Sequence, residues 1–310
     1  MMRILFMGSP DLAIPSFRAA AQTGHLVGVV TQPPRASGRG QKMTPSPISV
    51  EARKRGMEAM TPESLRSPDI EDSLRRLEPD IVVVVAYGKI LPPNILALPR
   101  LGCVNIHASI LPRLRGAAPI QWAIALGYTE TGVTLMQMDE GMDTGPILLQ
   151  RTTPVEDEET AGELGKRLAL IGADLLREGL PRLGRGELTP IEQDDSLATY
   201  APLLKKADGL IDWSLPATQI ANRVRGFSPW PGTFTTRSGS RLLITRARSL
   251  QKDHSLPPGS VVLTGAAGIQ VACTDGTLEI LAVKPEGKRE MAAEEFLSGY
   301  KVKEGEVLGK

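Results

Sequence analysis

The chain has 310 residues, of which 41% are hydrophobic and 23% charged, with a formal net charge of +1 at pH 7. Those values describe a globular chain long enough for two domains with cores of their own, and no run approaches the ~18 apolar residues of a spanning helix, so no membrane association is expected. Cys103 and Cys273 stand far apart with no CxxC spacing, which leaves neither a disulfide framework nor a zinc site; both read as core residues.

The start, MMRILFMGSPD, has one Arg before a short apolar run and then turns polar. It is too short for the apolar core of a signal peptide and reads as a first strand, Arg3 to Met7, of a cytoplasmic protein. An amphipathic helix follows over Pro10 to Thr23, with Leu12, Ile14, Phe17 and Ala21 on one side, then a strand from His25 to Thr31. Gly8-Ser9-Pro10 lacks the second and third glycines of a dinucleotide fingerprint, so NAD(P) is not expected. Gln32 to Pro47 is a long Pro-, Gly- and Ser-rich loop carrying Arg35, Arg39 and Lys42, which reads either as a surface excursion or as a mobile basic loop that touches an anionic substrate.

The pattern then predicts a helix from Glu63 to Leu77 and strands at Asp80 to Ala86, Leu101 to Ile106 and Gly132 to Met138. Further helices are predicted from Ala118 to Leu126 and from Ala161 to Glu178. Val82 to Val85 is β-branched throughout, as in a central parallel strand buried on both faces. Strands alternating with helices give an α/β, Rossmann-like domain with a parallel-rich sheet. Residues 185 to 208 are polar and aperiodic and read as a linker. Beyond them come short strands at Thr233 to Thr236, Arg241 to Leu250, Ser260 to Leu263, Ile269 to Cys273 and Thr277 to Val283, then a helix from Ala292 to Leu297. Five short strands are expected to form a small β-barrel of the OB-fold type, which binds oligonucleotides.

Charge is unevenly placed. Residues 1–202 carry 21 basic and 24 acidic side chains, and residues 203–310 carry 15 and 11. Residues 222–252 hold seven basic groups, Arg223, Arg225, Arg237, Arg241, Arg246, Arg248 and Lys252, and no acidic one. Such a face would attract a polyanion, or it would be no more than a solvated surface.

The densest chemistry is NIHASILPRLRGAAP, Asn105 to Pro119, directly after a predicted strand. Asn105 and His107 fall at the strand's carboxyl end, the edge at which open α/β sheets bind ligands. His107 is one of three histidines, with His25 and His254, so a proton-transfer group working near neutral pH has few candidates. Asp139, Glu140 and Asp143 follow the strand at Gly132 to Met138, and the two strand ends are expected to meet at one edge. An amide that donates to an oxyanion, an imidazole that moves protons and a carboxylate that orients it suit acyl transfer to a nitrogen nucleophile. A metal site is the competing reading, weakened by the absence of HxH or HxxxH spacing, and Asn105 and Asp143 as simple turn residues is another.

NIHASILPRLRGAAPIQWAI followed by TGVTLMQMDEGMDTGPIL resembles the catalytic core of the formyltransferases that use 10-formyltetrahydrofolate, through NxHxSxLP and the later aspartate. RGAAPIQ, the loop TQPPRASGRGQKM with PSP after it, IDWSLPA and FSPWPG resemble the tRNA-directed branch in particular. The resemblance implies formyl transfer from 10-formyltetrahydrofolate to the α-amine of methionyl initiator tRNA; neither a metal nor NAD(P) is expected from the residues, and a monomer with no stable protein partner is the expectation.

It further implies that Asn105 holds the developing oxyanion, that His107 transfers protons and that Asp143 positions His107. Ser109, Ile110, Leu111 and Pro112 would lie against the tetrahydrofolate, and Ala86, Tyr87, Gly88, Ile90 and Leu91 would line its pterin pocket. Arg39, with Arg35 and Lys42, would reach the tRNA acceptor end, and Arg223, Arg246 and Arg248 would meet tRNA phosphates. The expected division is a catalytic domain over 1–189, a linker over 190–208 and an OB-fold-like, tRNA-binding domain over 209–310. Pro34, Ala108, Leu114 and Ser228 depart from the usual pattern without touching the Asn, His and Asp set. Other formyl transfers share that set, and the basic carboxyl-terminal domain is what separates the tRNA-directed reaction from them.

Overall fold

Ile81–Val85 is the centre of the amino-terminal sheet: five β-branched residues in succession, all buried, which only a strand covered on both faces accommodates. Their side chains alternate between two cores. Ile81, Val83 and Val85 pack with Ile4, Phe6 and Phe17, while Val82 and Val84 pack with Leu5, Met7 and Leu74.

The computed structural model describes residues 1–37, 42–265 and 268–309. Its first elements are β1 (Arg3–Gly8), α1 (Ile14–Thr23), β2 (His25–Val30), β3 (Arg35–Ser37), β4 (Lys42–Thr44), α2 (Pro47–Arg53) and α3 (Pro68–Arg75). Then come β5 (Ile81–Val85), α4 (Pro93–Leu96), β6 (Cys103–His107), α5 (Pro119–Ala125), β7 (Glu130–Gln137), β8 (Ile147–Pro154) and α6 (Ala161–Gly184). Six strands form one sheet in the order β2-β1-β5-β6-β7-β8. The first four are parallel, and β7 and β8 run antiparallel.

The Rossmann-like, parallel-rich sheet is therefore as expected, with three local differences. The helix expected from Glu63 begins only at Pro68, because Ser67 before a proline is held extended at ψ 132° and Pro68 opens the first turn. The long loop after β2 contains a two-stranded ribbon in which Arg35 faces Thr44 and Ser37 faces Lys42. Edge strand β8 was not foreseen, since its exposed QRTTP end carries no apolar alternation. No described helix is long and apolar enough to cross a membrane.

The chain forms two compact units. The first comprises Met1–Pro119, Glu130–Pro154 and Gly165–Ala201, and the second Ile120–Thr129, Val155–Leu164 and Pro202–Lys310. The stretch read as a linker is thus divided: residues 190–201 belong to the first unit, where Ile191 bridges Ile147 and Tyr200 bridges Arg115.

The second unit continues with α7 (Ala217–Gly226), β9 (Thr233–Arg237), β10 (Ser240–Leu250), β11 (Val261–Gly265), β12 (Gly268–Ala272), β13 (Thr277–Pro285), β14 (Met291–Ala292) and α8 (Ala293–Gly299). These strands form an antiparallel sheet in the order β11-β12-β13-β10-β9, with β14 on β13. Register shifts around Arg246 bend β10, so that one long strand pairs with both β13 and β9. Among the described residues β11 and β9 do not pair directly. The carboxyl-terminal segment spans them: Val261 N–H donates to Glu306 O, and Leu308 and Gly309 N–H donate to Gly259 and Thr236 O. Instead of five strands closing on themselves, the tail closes the sheet over a core of Trp213, Ile244, Val271, Ile280 and Phe296. Trp122, from the 120–129 segment, meets Phe227 edge-on at 5.5 Å.

Candidate active site

β6 lies between β5 and β7, with Asn105 opposite Val84 on one side and Met136 on the other. Strand alternation puts Cys103, Asn105 and His107 on the sheet face that carries Val82 and Val84, while Val104 packs in the opposite core. Cys103 is core there, its thiol pushed up to about 12 by burial. His107 is buried, and its Nε2 stands 2.9 Å from the carbonyl oxygen of Leu114. A carbonyl only accepts, so Nε2 carries a hydrogen and the neutral ring keeps its lone pair on Nδ1. That Nδ1 faces Asp143, with Oδ1 at 3.5 Å. The Asn105 carboxamide has no hydrogen-bond partner among the described residues.

Asp143 arrives by a different route from the one expected. Gln137, at the end of β7, pairs with Val104 near the start of β6, so the two strand ends do not meet at one edge. Val104 and His107 are three residue steps apart along β6, roughly 10 Å at strand rise. The hairpin loop after β7 covers that distance across the sheet face. Met138 N–H bonds the Cys103 carbonyl and its side chain packs on the core beneath, and five residues later Asp143 takes a left-handed backbone, φ 56°. Asp143 Oδ2 accepts from Gly116 N–H at 2.8 Å. Gly116 has φ +119°, and a Cβ there would lie 2.7 Å from the Ala201 carbonyl oxygen, so only glycine presents that N–H.

Leu114, whose carbonyl holds His107, and Ala86 at the end of β5 also have positive φ, 59° and 46°. Each such non-glycine residue costs about 1–3 kcal/mol, and strain of this kind collects at functional sites.

The residues expected around the folate divide. Ser109 is buried, its hydroxyl donating to Arg113 O and its carbonyl accepting from Thr134 Oγ1, which also accepts from Leu111 N–H. Ser109 and Leu111 therefore shape the loop from within, and Ile110 and Pro112 are half-buried beside them. Ala86, Tyr87 and Gly88 line a cleft of about 760 Å³ together with Ser9, Gln32 and Arg35; Ile90 and Leu91 do not. Gln32, which sequence reasoning passed over, donates to Tyr87 O at 2.9 Å and accepts from Arg35. Lys42 is exposed on the ribbon, and the expectation for Arg39 lies outside the described residues.

In the second unit, Arg248 bonds Glu279 at 2.5 Å, and Arg246 is exposed beside Arg289 and Glu295. Arg223 is half-buried on α7, close enough to Asp212 to hold that carboxyl down, after the larger effects of Ser214. Of the other two histidines, His25 is exposed at the start of β2 and His254 is bonded to backbone carbonyls of the second unit. Among the described residues no group of three His, Cys, Asp or Glu is disposed to hold a metal.

Residues 2–180 match the family model described as formyl transferase, and residues 203–301 match that of the formyl transferase C-terminal domain. Together they define a formyl-transferring enzyme. The chain is 46% identical over its whole length to the methionyl-tRNA formyltransferase of Geotalea uraniireducens, covering 98% of that protein. Among solved structures, an N-formyltransferase from Helicobacter canadensis in complex with folinic acid and dTDP-3-aminofucose shares the fold with a TM-score of 0.69, at 17% identity, over 94% of this chain and 100% of that one. A HypX variant from Aquifex aeolicus matches with a TM-score of 0.62 at 18% identity over 96% of this chain and 48% of that one, so the chain spans about half of that larger protein. The chain belongs to the methionyl-tRNA formyltransferase family.

Proposed function

We propose that the protein transfers the formyl group of 10-formyltetrahydrofolate to the α-amine of methionyl initiator tRNA, giving N-formylmethionyl-tRNA for translation initiation. It acts in the cytoplasm as a monomer, with neither a metal nor NAD(P). The observation that carries this reading is the arrangement on one sheet face of a carboxamide with unused donors, Asn105, and an imidazole, His107, whose free nitrogen faces the carboxylate of Asp143.

The methionyl amine, with an ordinary pKa of about 7.7 to 8, is partly protonated near neutral pH and must be freed to attack. His107 takes the proton at Nδ1, because Nε2 is committed to Leu114 O, and the Asp143 carboxylate stabilises the imidazolium that results. Attack on the formyl carbon forms the new C–N bond and puts negative charge on oxygen, to which the Asn105 N–H donates. Collapse breaks the bond to N10 of the folate, which takes its proton from the imidazolium, and the attacking nitrogen releases its remaining extra proton through the regenerated neutral His107 to solvent. The folate is assigned to the surface of Ser109–Pro112 and Ala86–Leu91. The acceptor end is assigned to Arg35, Arg39 and Lys42, and the tRNA backbone to Arg223 and Arg246, Arg248 being held by Glu279.

Single-turnover transfer of labelled formyl, with methionyl initiator tRNA, free methionine and glycinamide ribonucleotide as parallel acceptors, tests the assignment. Label on the methionyl-tRNA alone is expected. Label on a small acceptor, or only free formate, would overturn the partner while leaving the chemistry of the site.

A further inference from the structure

Asp143 sits in a loop whose backbone is strained at the residue that matters, and something outside the loop must hold it. The structure supplies that hold from the stretch that reads in sequence as a linker. The Gln193 carboxamide donates to the carbonyl oxygens of both Asp143, at 2.9 Å, and Gly145, at 2.7 Å. Its own oxygen accepts from Nε and Nη2 of Arg115 at 3.0 and 2.8 Å. Arg115 is 3% exposed, donates also to Asp195 at 2.7 Å, and is tied through its backbone to Thr199 and Ala201.

We infer that Gln193 is a positioning residue for the formyl transfer, acting through Asp143; the inference rests on the reading of Asp143 as the group that orients His107. A guanidinium only donates and a carbonyl only accepts, so the orientation of the Gln193 amide is fixed: oxygen toward Arg115, NH₂ toward the Asp143 loop. Both amide hydrogens are spent on carbonyls two residues apart. Gly116, next to Arg115, then reaches the Asp143 side chain, so backbone and carboxylate of the same residue are held from one anchored segment. No other common side chain of this length both accepts from arginine and donates twice to the loop. Glutamate keeps only the first function, and methionine keeps neither.

The test measures single-turnover formyl transfer by the full chain and by Gln193→Glu and Gln193→Met, each with Asp143 intact and with Asp143→Asn. With Asp143 intact, both variants are expected to lose on the order of 10- to 100-fold in rate, the scale of a small misplacement, with KM for folate and for tRNA changed less than about threefold. In the Asp143→Asn background the same changes should cost less than about twofold, because the group they position has lost its charge. Equal losses in both backgrounds would overturn the inference and leave Gln193 a general stabiliser. Gln193→Glu keeps the Arg115 partner and guards against a variant that merely unfolds.

Hydrogen exchange of residues 139–146 gives an answer that does not need activity. Faster exchange there, with residues 81–85 unchanged, is expected in both variants, and unchanged exchange at 139–146 would sink the clamp. A wild-type chain that formylated no methionyl-tRNA would sink the proposed function instead, and the exchange result would still decide the role of Gln193.

Discussion

At the end of β6 a few polar side chains are gathered and left available: Asn105 has no partner among the described residues, and His107 keeps one nitrogen free toward Asp143. In residues 222–252 many more charged side chains occur, yet several are already engaged. Arg237 pairs with Glu306, Arg248 with Glu279 and Arg225 with carbonyls of Glu156 and Glu159, while Arg241 lies 3.8 Å over the Phe234 ring. A count of cations in sequence therefore overstates the charge offered to a polyanion, whereas a short motif on a buried strand does place its groups together.

The comparison is most sharply broken at His107. His107→Ala should lower turnover by about 10² to 10⁴, and substituting His254, whose ring bonds backbone carbonyls in the other unit, should not, as steady-state rates on the folded variants would show. Gly116→Ala comes next. The added methyl meets Ala201 O and the φ of +119° suits glycine alone, so the N–H aimed at Asp143 is displaced. A rate loss on the order of 10²-fold is expected, and a variant of unchanged rate would show that Asp143 needs no such anchor.

In the basic stretch the contrast is between neighbours. Arg246→Ala should weaken tRNA binding and lower the salt slope of the binding constant by roughly one, since among the described residues it is exposed and makes no ion pair. Arg248→Ala should chiefly destabilise, because Glu279, 2% exposed, loses its cation. Equal salt slopes for the two variants would count against this division.

The smallest effect is in acid. Hydrogen bonding from Arg18, with further help from Lys54, holds the Glu51 carboxyl at about 2 instead of 4.5. A depressed folded-state value contributes stability above the unfolded value, and that contribution is lost as pH falls from about 4.5 toward 2. Urea midpoints of wild type and Glu51→Gln should therefore converge over that window, and curves that stay parallel would contradict it.

Much of this was legible beforehand where a local rule governs. Ile81–Val85 could only be a doubly covered strand, and the spacing within NIHASILP puts Asn105 and His107 on one face of a strand end. What was not legible depends on contacts between distant segments. The direction of β7 relative to β6 is absent from its apolar pattern, so Asp143 was expected at a shared edge, whereas its loop crosses the face. Gln193 lies in a polar stretch with no periodicity, and only its contacts with Arg115 and the Asp143 loop separate it from a linker residue. The tail that closes the second sheet bonds through its backbone, which no side-chain pattern reveals.

Asn105 offers the most direct test of the site, because a carboxamide with no hydrogen-bond partner among the described residues can be removed at little structural cost. Single-turnover formyl transfer by Asn105→Ala should fall by about 10² to 10³, with tRNA affinity in the same preparation unchanged. A folded Asn105→Ala protein that transferred formyl at nearly the wild-type rate would contradict the account.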